Sequence, residues 1–213
     1  STDEVYGSLG EKGFFSESSK YEPNSPYSAS KAASDHLVNA WYHTYGLPIV
    51  ITNCSNNYGP WQFPEKLIPL VITKALSNEN IPLYGNGLNI RDWLYVYDHV
   101  DALLLAAAKG SVGNSYCIGG KNERTNYEVI ETICAYLDKK NPTDKSYFDL
   151  VKKVEDRPGH DKRYAIDPSK IMNELQWKPK VDFKEGISRT IDWYIDNINW
   201  TNKVMSFSNY NGE

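Results

Sequence analysis

The segment LPIVITNCS (residues 47–55) decides how this chain folds. Its apolar residues run on without alternating, and a strand covered on both faces reads this way, as parallel sheets require. On its N-terminal side lies the clearest helix signal, over 26–45. Ser25 can cap it, Pro26 suits its first position and Gly46 ends it. Leu37, Val38, Trp41 and Tyr45 recur at helical spacing there and are expected to form a buried stripe, serving as core or interface.

The same alternation continues downstream. Residues 64–77 read as a helix with Pro69 near its first turns, IPLYGNG (81–87) as a short strand and turn, and RDWLYVYD (91–98) as a strand. Asp98 is expected to cap HVDALLLAAAK (99–109), which Gly110 closes, and NSYCIGG (114–120) reads as another strand. Thr125 and Glu128 form a capping box for a helix to about 139. After a polar break come a strand near 150–154, the loop EDRPGHD (155–161), RYAID (163–167), and a helix begun by Asp167-Pro168. FKEGISRTIDWYIDN (183–197) makes the last helix, and the tail from 201 is expected to be loose.

Strands alternating with helices argue for an α/β fold. No G-x-G-x-x-G follows a strand anywhere. A chain of this class that starts at a strand's end, without the first βαβ unit, is expected to be the remainder of a larger domain.

Composition narrows the function classes. The chain has 213 residues, 40% hydrophobic and 23% charged, with a net charge of −4, as expected of a soluble globular protein. That balance carries no nucleic-acid footprint. Cys54, Cys117 and Cys134 are odd in number, widely spaced and without metal-ligand pattern, so they are expected to be reduced thiols in a cytoplasmic protein, with no metal bound. ALLLAAA (102–108) is too short to span a bilayer, and no signal peptide is expected.

Two constellations could carry chemistry. In PYSASK, Tyr27 and Lys31 are four apart on a helix and share a face. A neighbouring ammonium favours the phenolate, which makes such a pair a usable base for a hydroxyl proton. In STDEVYG (1–7), Asp3 and Glu4 are adjacent carboxylates, whose ordinary reading is a solvated terminus. His36, His43 and His99 match no pattern and read as structural.

STDEVYG (1–7), PYSASKAASDHL (26–37) and NNYGPWQFPEKLIP (56–69), in that order, resemble the extended short-chain dehydrogenase/reductase family and, within it, the nucleotide-sugar 4,6-dehydratases. GNGLNIRDWLYVYDHVDAL (85–103) and DRPGHDKRYAID (156–167) narrow the resemblance to the branch that acts on dTDP-glucose. It covers the chain to about residue 197. The resemblance implies the C-terminal portion of a Rossmann-type doubly wound parallel sheet plus a smaller α/β nucleotide-sugar lobe. Residues 1–60 would belong to the first, 61–200 mainly to the second with 88–120 returning to the sheet, and 201–213 would be a tail.

The resemblance further implies NAD as cofactor, with the glycine-rich turn and the ribose-holding acidic residue lying upstream of Ser1. Tyr27 with Lys31 would deprotonate the C4 hydroxyl, Thr2 would bond at C4, Glu4 would take the C5 proton, and Asp3 would protonate the departing C6 hydroxyl. Lys31 and Asn57, with Tyr27, would contact the cofactor. The substrate would meet Asn56, Lys66, Leu67, Pro82, Leu83, Tyr84, Arg91, Asn126, Arg157 and His160. A homodimer paired through the Tyr–Lys helix is implied, with no nucleic-acid or membrane partner. Two other readings stand beside this one: a UDP-sugar epimerase or decarboxylase of the same superfamily, and a non-catalytic scaffold. The acidic doublet and the RPGHD loop speak against the first, and the intact set Thr2, Asp3, Glu4, Tyr27 and Lys31 against the second.

Overall fold

The order of elements in the computed structural model, which describes residues 1–156 and 161–207, follows the sequence pattern closely. These residues fall into two units.

The first unit takes 1–57, 89–124 and 161–181. Helix α1 (Pro26–Tyr45) starts with the Ser25 cap, whose side chain accepts from the Ser28 amide, and stops at Gly46 in the left-handed region with φ 68°. Strand β1 (Ile51–Cys54) pairs in parallel with β5 (Ser115–Ile118), Ile51 opposite Ser115 and Cys54 opposite Ile118. A further parallel bridge joins Thr2 to Cys54, so the end of the first segment lies on the other side of β1. Strand β2 (Asn56–Tyr58), β4 (Ile90–Tyr95) and β6 (Glu123–Thr125) form a three-stranded sheet in the order β2-β4-β6. Gly120 lets the chain after β5 pass close by β4, since a Cβ there would sit 2.1 Å from the Trp93 carbonyl oxygen.

The helix after β4 begins earlier than the sequence suggests. Helix α3 (Val96–Lys109) starts at Val96, so Asp98 lies inside the first turn instead of capping it. Buried there, Asp98 accepts from the amides of Lys180 and Val181, both at 3.0 Å. Helix α5 (Ser169–Leu175) explains why 161–181 joins this unit rather than the lobe to which the sequence reading gave it. Its Ile171 and Leu175, with Trp177, enter one apolar cluster with Leu94, Ala102, Ala106, Tyr116 and Ile118. Burying each such side chain stabilises by about 1.5–3 kcal/mol.

The stripe on α1 departs from expectation. Leu37, Val38, Trp41 and Tyr45 are exposed, at 63, 39, 54 and 70%. The helix instead turns Ser28, Ala32 and Asp35 inward, a line of small and polar residues spaced i, i+4, i+7.

The second unit takes 58–88, 125–156 and 182–207. Helices α2 (Leu67–Leu76), α4 (Asn126–Lys140) and α6 (Phe183–Asp196) pack on one another, with parallel strands β3 (Ile81–Tyr84) and β7 (Val151–Val154) beside them. The Thr125–Glu128 capping box is formed in full at the start of α4. Ile68, Ile72, Ile130, Ile133, Leu137, Ile187 and Ile191 fill the core. The expectation of a loose tail from 201 is corrected for residues 201–207, which belong to helix α7 (Ile198–Phe207), while 208–213 lie outside the described residues; Trp200 meets Trp61 and Trp193 edge-on with ring centroids 5.2 Å apart in both pairs. Among the described residues, no helix is long and apolar enough to cross a membrane.

Candidate active site

The acidic doublet sits where the first segment leaves the sheet. Thr2 caps a single 3-10 turn (Asp3–Tyr6), its hydroxyl accepting from the Glu4 amide at 3.3 Å and donating to Asp3 Oδ1 at 3.3 Å. This turn gives two consecutive carboxylates different surroundings. Asp3 is 2% exposed and its Oδ2 has no protein partner, whereas Glu4 is only half-buried. Burial first, then the negative charges of Glu4 and Asp92, push the Asp3 carboxyl up to about 8, against the pull of Arg91. A carboxylic acid kept protonated near neutrality beside a more accessible carboxylate is an acid and base pair. The reading of STDEVYG as a mere solvated terminus is therefore set aside.

Asp92, which raises Asp3, is itself buried at 1% and held by the amides of Gly120 (2.8 Å) and Asn122 (2.7 Å). Arg91 was expected to meet the substrate. It is instead 8% exposed, donates to the carbonyls of Ile90 (2.7 Å) and Asp161 (2.9 Å), and lies 4.4 Å above the Tyr164 ring. Those bonds use two of its five N–H donors. Asp92 and Tyr164 drew no attention in the sequence because nothing local marks a charged or aromatic residue as buried.

Tyr27 and Lys31 lie one turn apart near the start of α1, Tyr27 exposed at 56% and Lys31 half-buried. Asn56 and Asn57, read from the sequence as the end of the buried strand, lie just past β1 and open the separate strand β2. Asn56 Oδ1 is buried without a partner, while Asn57 donates to Cys54 Sγ at 3.3 Å and to the Ser55 carbonyl at 3.1 Å. An oriented, unsatisfied amide oxygen at such a place fits a ligand hydroxyl. Thr2, Asp3, Glu4, Tyr27, Lys31, Asn56, Asn57 and Arg91 all belong to the first unit.

The remaining predicted contacts belong to the second unit. Lys66 precedes α2, whose N-terminus has no side-chain cap, and pairs with Glu65 at 2.8 Å. Leu67 opens that helix, whose third residue, Pro69, carries no N–H, so Leu67 and Ile68 are its first backbone donors. Pro82 and Tyr84 are half-buried on β3, but Leu83 is a core side chain at 3% exposure, so only its backbone could meet a base. Asn126 is the first residue of α4. Arg157 and His160 lie outside the described residues.

The three cysteines are free, and burial pushes the thiols of Cys54 up to about 11 and of Cys117 and Cys134 up to about 12, so none is poised for chemistry. Burial also pushes His99 down to about 4, consistent with a structural imidazole. No cluster of potential metal ligands occurs among the described residues.

An α/β sheet with a buried acid and a Tyr–Lys helix at its strand ends defines a class, and comparison with known proteins gives it a family. Residues 1–190 match the family model described as GDP-mannose 4,6 dehydratase, and the chain belongs to that family. It is 58% identical over 210 residues to a dTDP-glucose 4,6-dehydratase of Xanthomonas campestris pv. campestris, covering 98% of this chain and 60% of the relative. Among solved structures, a dTDP-glucose 4,6-dehydratase from Bacillus anthracis in complex with NAD superposes with a TM-score of 0.88 at 50% identity, covering 96% of this chain and 63% of that one. A dTDP-glucose 4,6-dehydratase from Streptomyces venezuelae with NAD and TYD bound gives 0.88 at 47% identity, covering 95% and 61%. The chain therefore spans about 60% of the length of the curated relatives it matches.

Proposed function

We propose that this chain carries the acid–base half of an NAD-dependent dTDP-glucose 4,6-dehydratase, which converts dTDP-glucose to dTDP-4-keto-6-deoxyglucose. The observation that carries the reading is Asp3, buried next to the half-buried Glu4, where burial pushes its carboxyl up to about 8. A sugar epimerase that only moves a hydride in and out has no use for such a doublet, and an elimination needs both members.

Each residue then has a task. Tyr27 takes the C4 hydroxyl proton, its phenolate favoured by the Lys31 ammonium one turn along α1. Thr2 holds the C4 oxygen by hydrogen bonding. A C4 ketone acidifies the C5 proton, which Glu4 removes, and Asp3 gives its proton to the departing C6 hydroxyl as water. Tyr27, Lys31 and Asn57 fit the ribose and nicotinamide side of a dinucleotide by their donor chemistry, although the chain has no glycine-rich turn for the diphosphate. NAD, when bound, would supply the acceptor for the C4 hydride and the source of its return to C6, and Glu4 would give its proton back to C5 to complete the product. Asn56, Lys66, Leu67, Pro82, Leu83, Tyr84, Arg91, Asn126, Arg157 and His160 are assigned to the nucleotide sugar, Leu83 through its backbone.

The test of the substrate is direct. The complete polypeptide is expected to turn over dTDP-glucose and to release a 4-keto-6-deoxy product identified by mass. A preference for UDP-glucose, or a product that keeps its C6 oxygen, would overturn the assignment.

Such a protein would act in the cytoplasm, where its free thiols stay reduced. It would also be a homodimer paired through α1. Supporting this is the outward apolar row of Leu37, Val38, Trp41 and Tyr45, of the kind that association covers. Sedimentation equilibrium of the complete polypeptide is expected to give a dimer, and Trp41→Glu to give a monomer. A monomeric wild type removes this part of the proposal.

A further inference from the structure

The helix that carries Tyr27 and Lys31 is anchored inward by very little apolar surface. Of its buried line, Ser28, Ala32 and Asp35, only Ala32 is apolar. Asp35 is 5% exposed, and a buried carboxylate is costly unless it is hydrogen-bonded. Its Oδ2 accepts from two donors: the Tyr21 hydroxyl at 2.9 Å and Asn53 Nδ2 at 3.3 Å.

Asn53 makes the arrangement more than a local satisfaction of charge. It is fully buried on β1, and the same Nδ2 donates to the main-chain carbonyl of Thr2 at 3.2 Å. An amide nitrogen has two hydrogens, so one side chain serves both acceptors. The path from the catalytic turn to the catalytic helix is then two hydrogen bonds long. Tyr21 extends it, since its ring meets Tyr6 edge-on at 5.3 Å and packs 5.3 Å from His36, and the next residue's amide bonds the Val5 carbonyl at 2.9 Å.

We propose that Asp35 is a positioning residue, holding the Tyr27–Lys31 helix in register against the Thr2–Asp3–Glu4 turn through the bridge Asp35–Asn53–Thr2. The reaction it serves is the one proposed above, but the bridge itself rests on the coordinates alone. The hydroxyl base and the acid–base doublet act on adjacent atoms of one substrate, so their separation matters more than the stability of either element. A misplacement of about 1 Å costs about 100-fold in rate in well-aligned sites.

The test compares Asp35→Ala with Asp35→Asn in the complete polypeptide. The amide oxygen of Asn accepts the same two hydrogen bonds, so Asp35→Asn is the rescue. Asp35→Ala is expected to lower kcat about ten-fold or more with KM for the nucleotide sugar within about three-fold, and Asp35→Asn to restore most of it. Amide hydrogen exchange over residues 1–6 is expected to quicken in Asp35→Ala and not in Asp35→Asn. Unchanged kcat and unchanged exchange in a folded Asp35→Ala overturn the proposal, and so does an equal loss in both variants, which would assign the effect to charge. Should Asp35→Ala fail to fold, Asn53→Ser removes the amide nitrogen that joins Asp35 to the Thr2 carbonyl and is expected to give a loss of the same kind; no loss overturns the bridge. A wild type inactive on dTDP-glucose would refute the proposed function, while the exchange comparison would still decide this inference.

Discussion

Tyr27→Phe in the complete polypeptide is expected to lose about 100- to 10,000-fold in kcat, the worth of a positioned general base, and to show no transient NADH absorbance. The substitution keeps the ring and deletes only the hydroxyl. Tyr27 is the second residue of α1 and is 56% exposed, so the helix and its Ser25–Ser28 capping box are left in place. Melting is therefore expected to shift by no more than about 2 °C, as for a surface substitution. The proton that Tyr27 takes is the first to move, so its loss stops every later step. NADH absorbance persisting at the wild-type rate would mean that another group is the base.

Asp3→Asn and Glu4→Gln are expected to lose a similar factor and yet to keep the NADH transient, because both act after C4 has been oxidised. The two are separable by pH. In the wild type, elimination should weaken as pH rises through about 8, where Asp3 loses the proton it must donate. Asp3 also leaves a mark on stability. Its carboxyl holds a proton in the folded state up to about 8, whereas an ordinary aspartate releases it near 3.8. The stability tied to that proton is complete below the lower value and is lost as pH rises through the upper one. Asp3→Asn, neutral at every pH, should melt about 5 °C or more above the wild type at pH 9 and close to it at pH 4. A variant no more stable than the wild type at pH 9 would mean that Asp3 is not the buried acid.

Much of this site could be read from residues alone, and the reasons it was readable are local. Ser25, Pro26 and Gly46 bound α1 by their own backbone preferences, and Thr125 with Glu128 bounded α4 in the same way. Tyr27 and Lys31 fell on one face by helical spacing. What escaped were facts of burial. LPIVITNCS was correctly a parallel strand, but nothing in it announced that Asn53 would be the hinge between strand, turn and helix. Asp35 looked like any helical carboxylate, because its partners Tyr21 and Asn53 are 14 and 18 residues away. The apolar row of α1 was read as a buried stripe of core or interface, because periodicity gives a face and not what covers it. Asp98 was taken for a cap because its type suits one, and two distant amides claimed it instead. Residues 201–207 looked polar enough to be loose, yet they belong to a helix whose Trp200 meets two other tryptophans.

The outward row on α1 has a mechanical side. Tyr45 lies 18 residues beyond Tyr27, which is five full helical turns, so both point from the same edge of the rod about 27 Å apart. A surface that grips the Trp41–Tyr45 end leaves the Tyr27 end open to a ligand. A rod gripped at one end also transmits torsion: a small roll imposed at Tyr45 arrives at Tyr27 as the same angle. Asp35 sits between the two ends, about a quarter turn round the axis from both, as the pin that resists that roll.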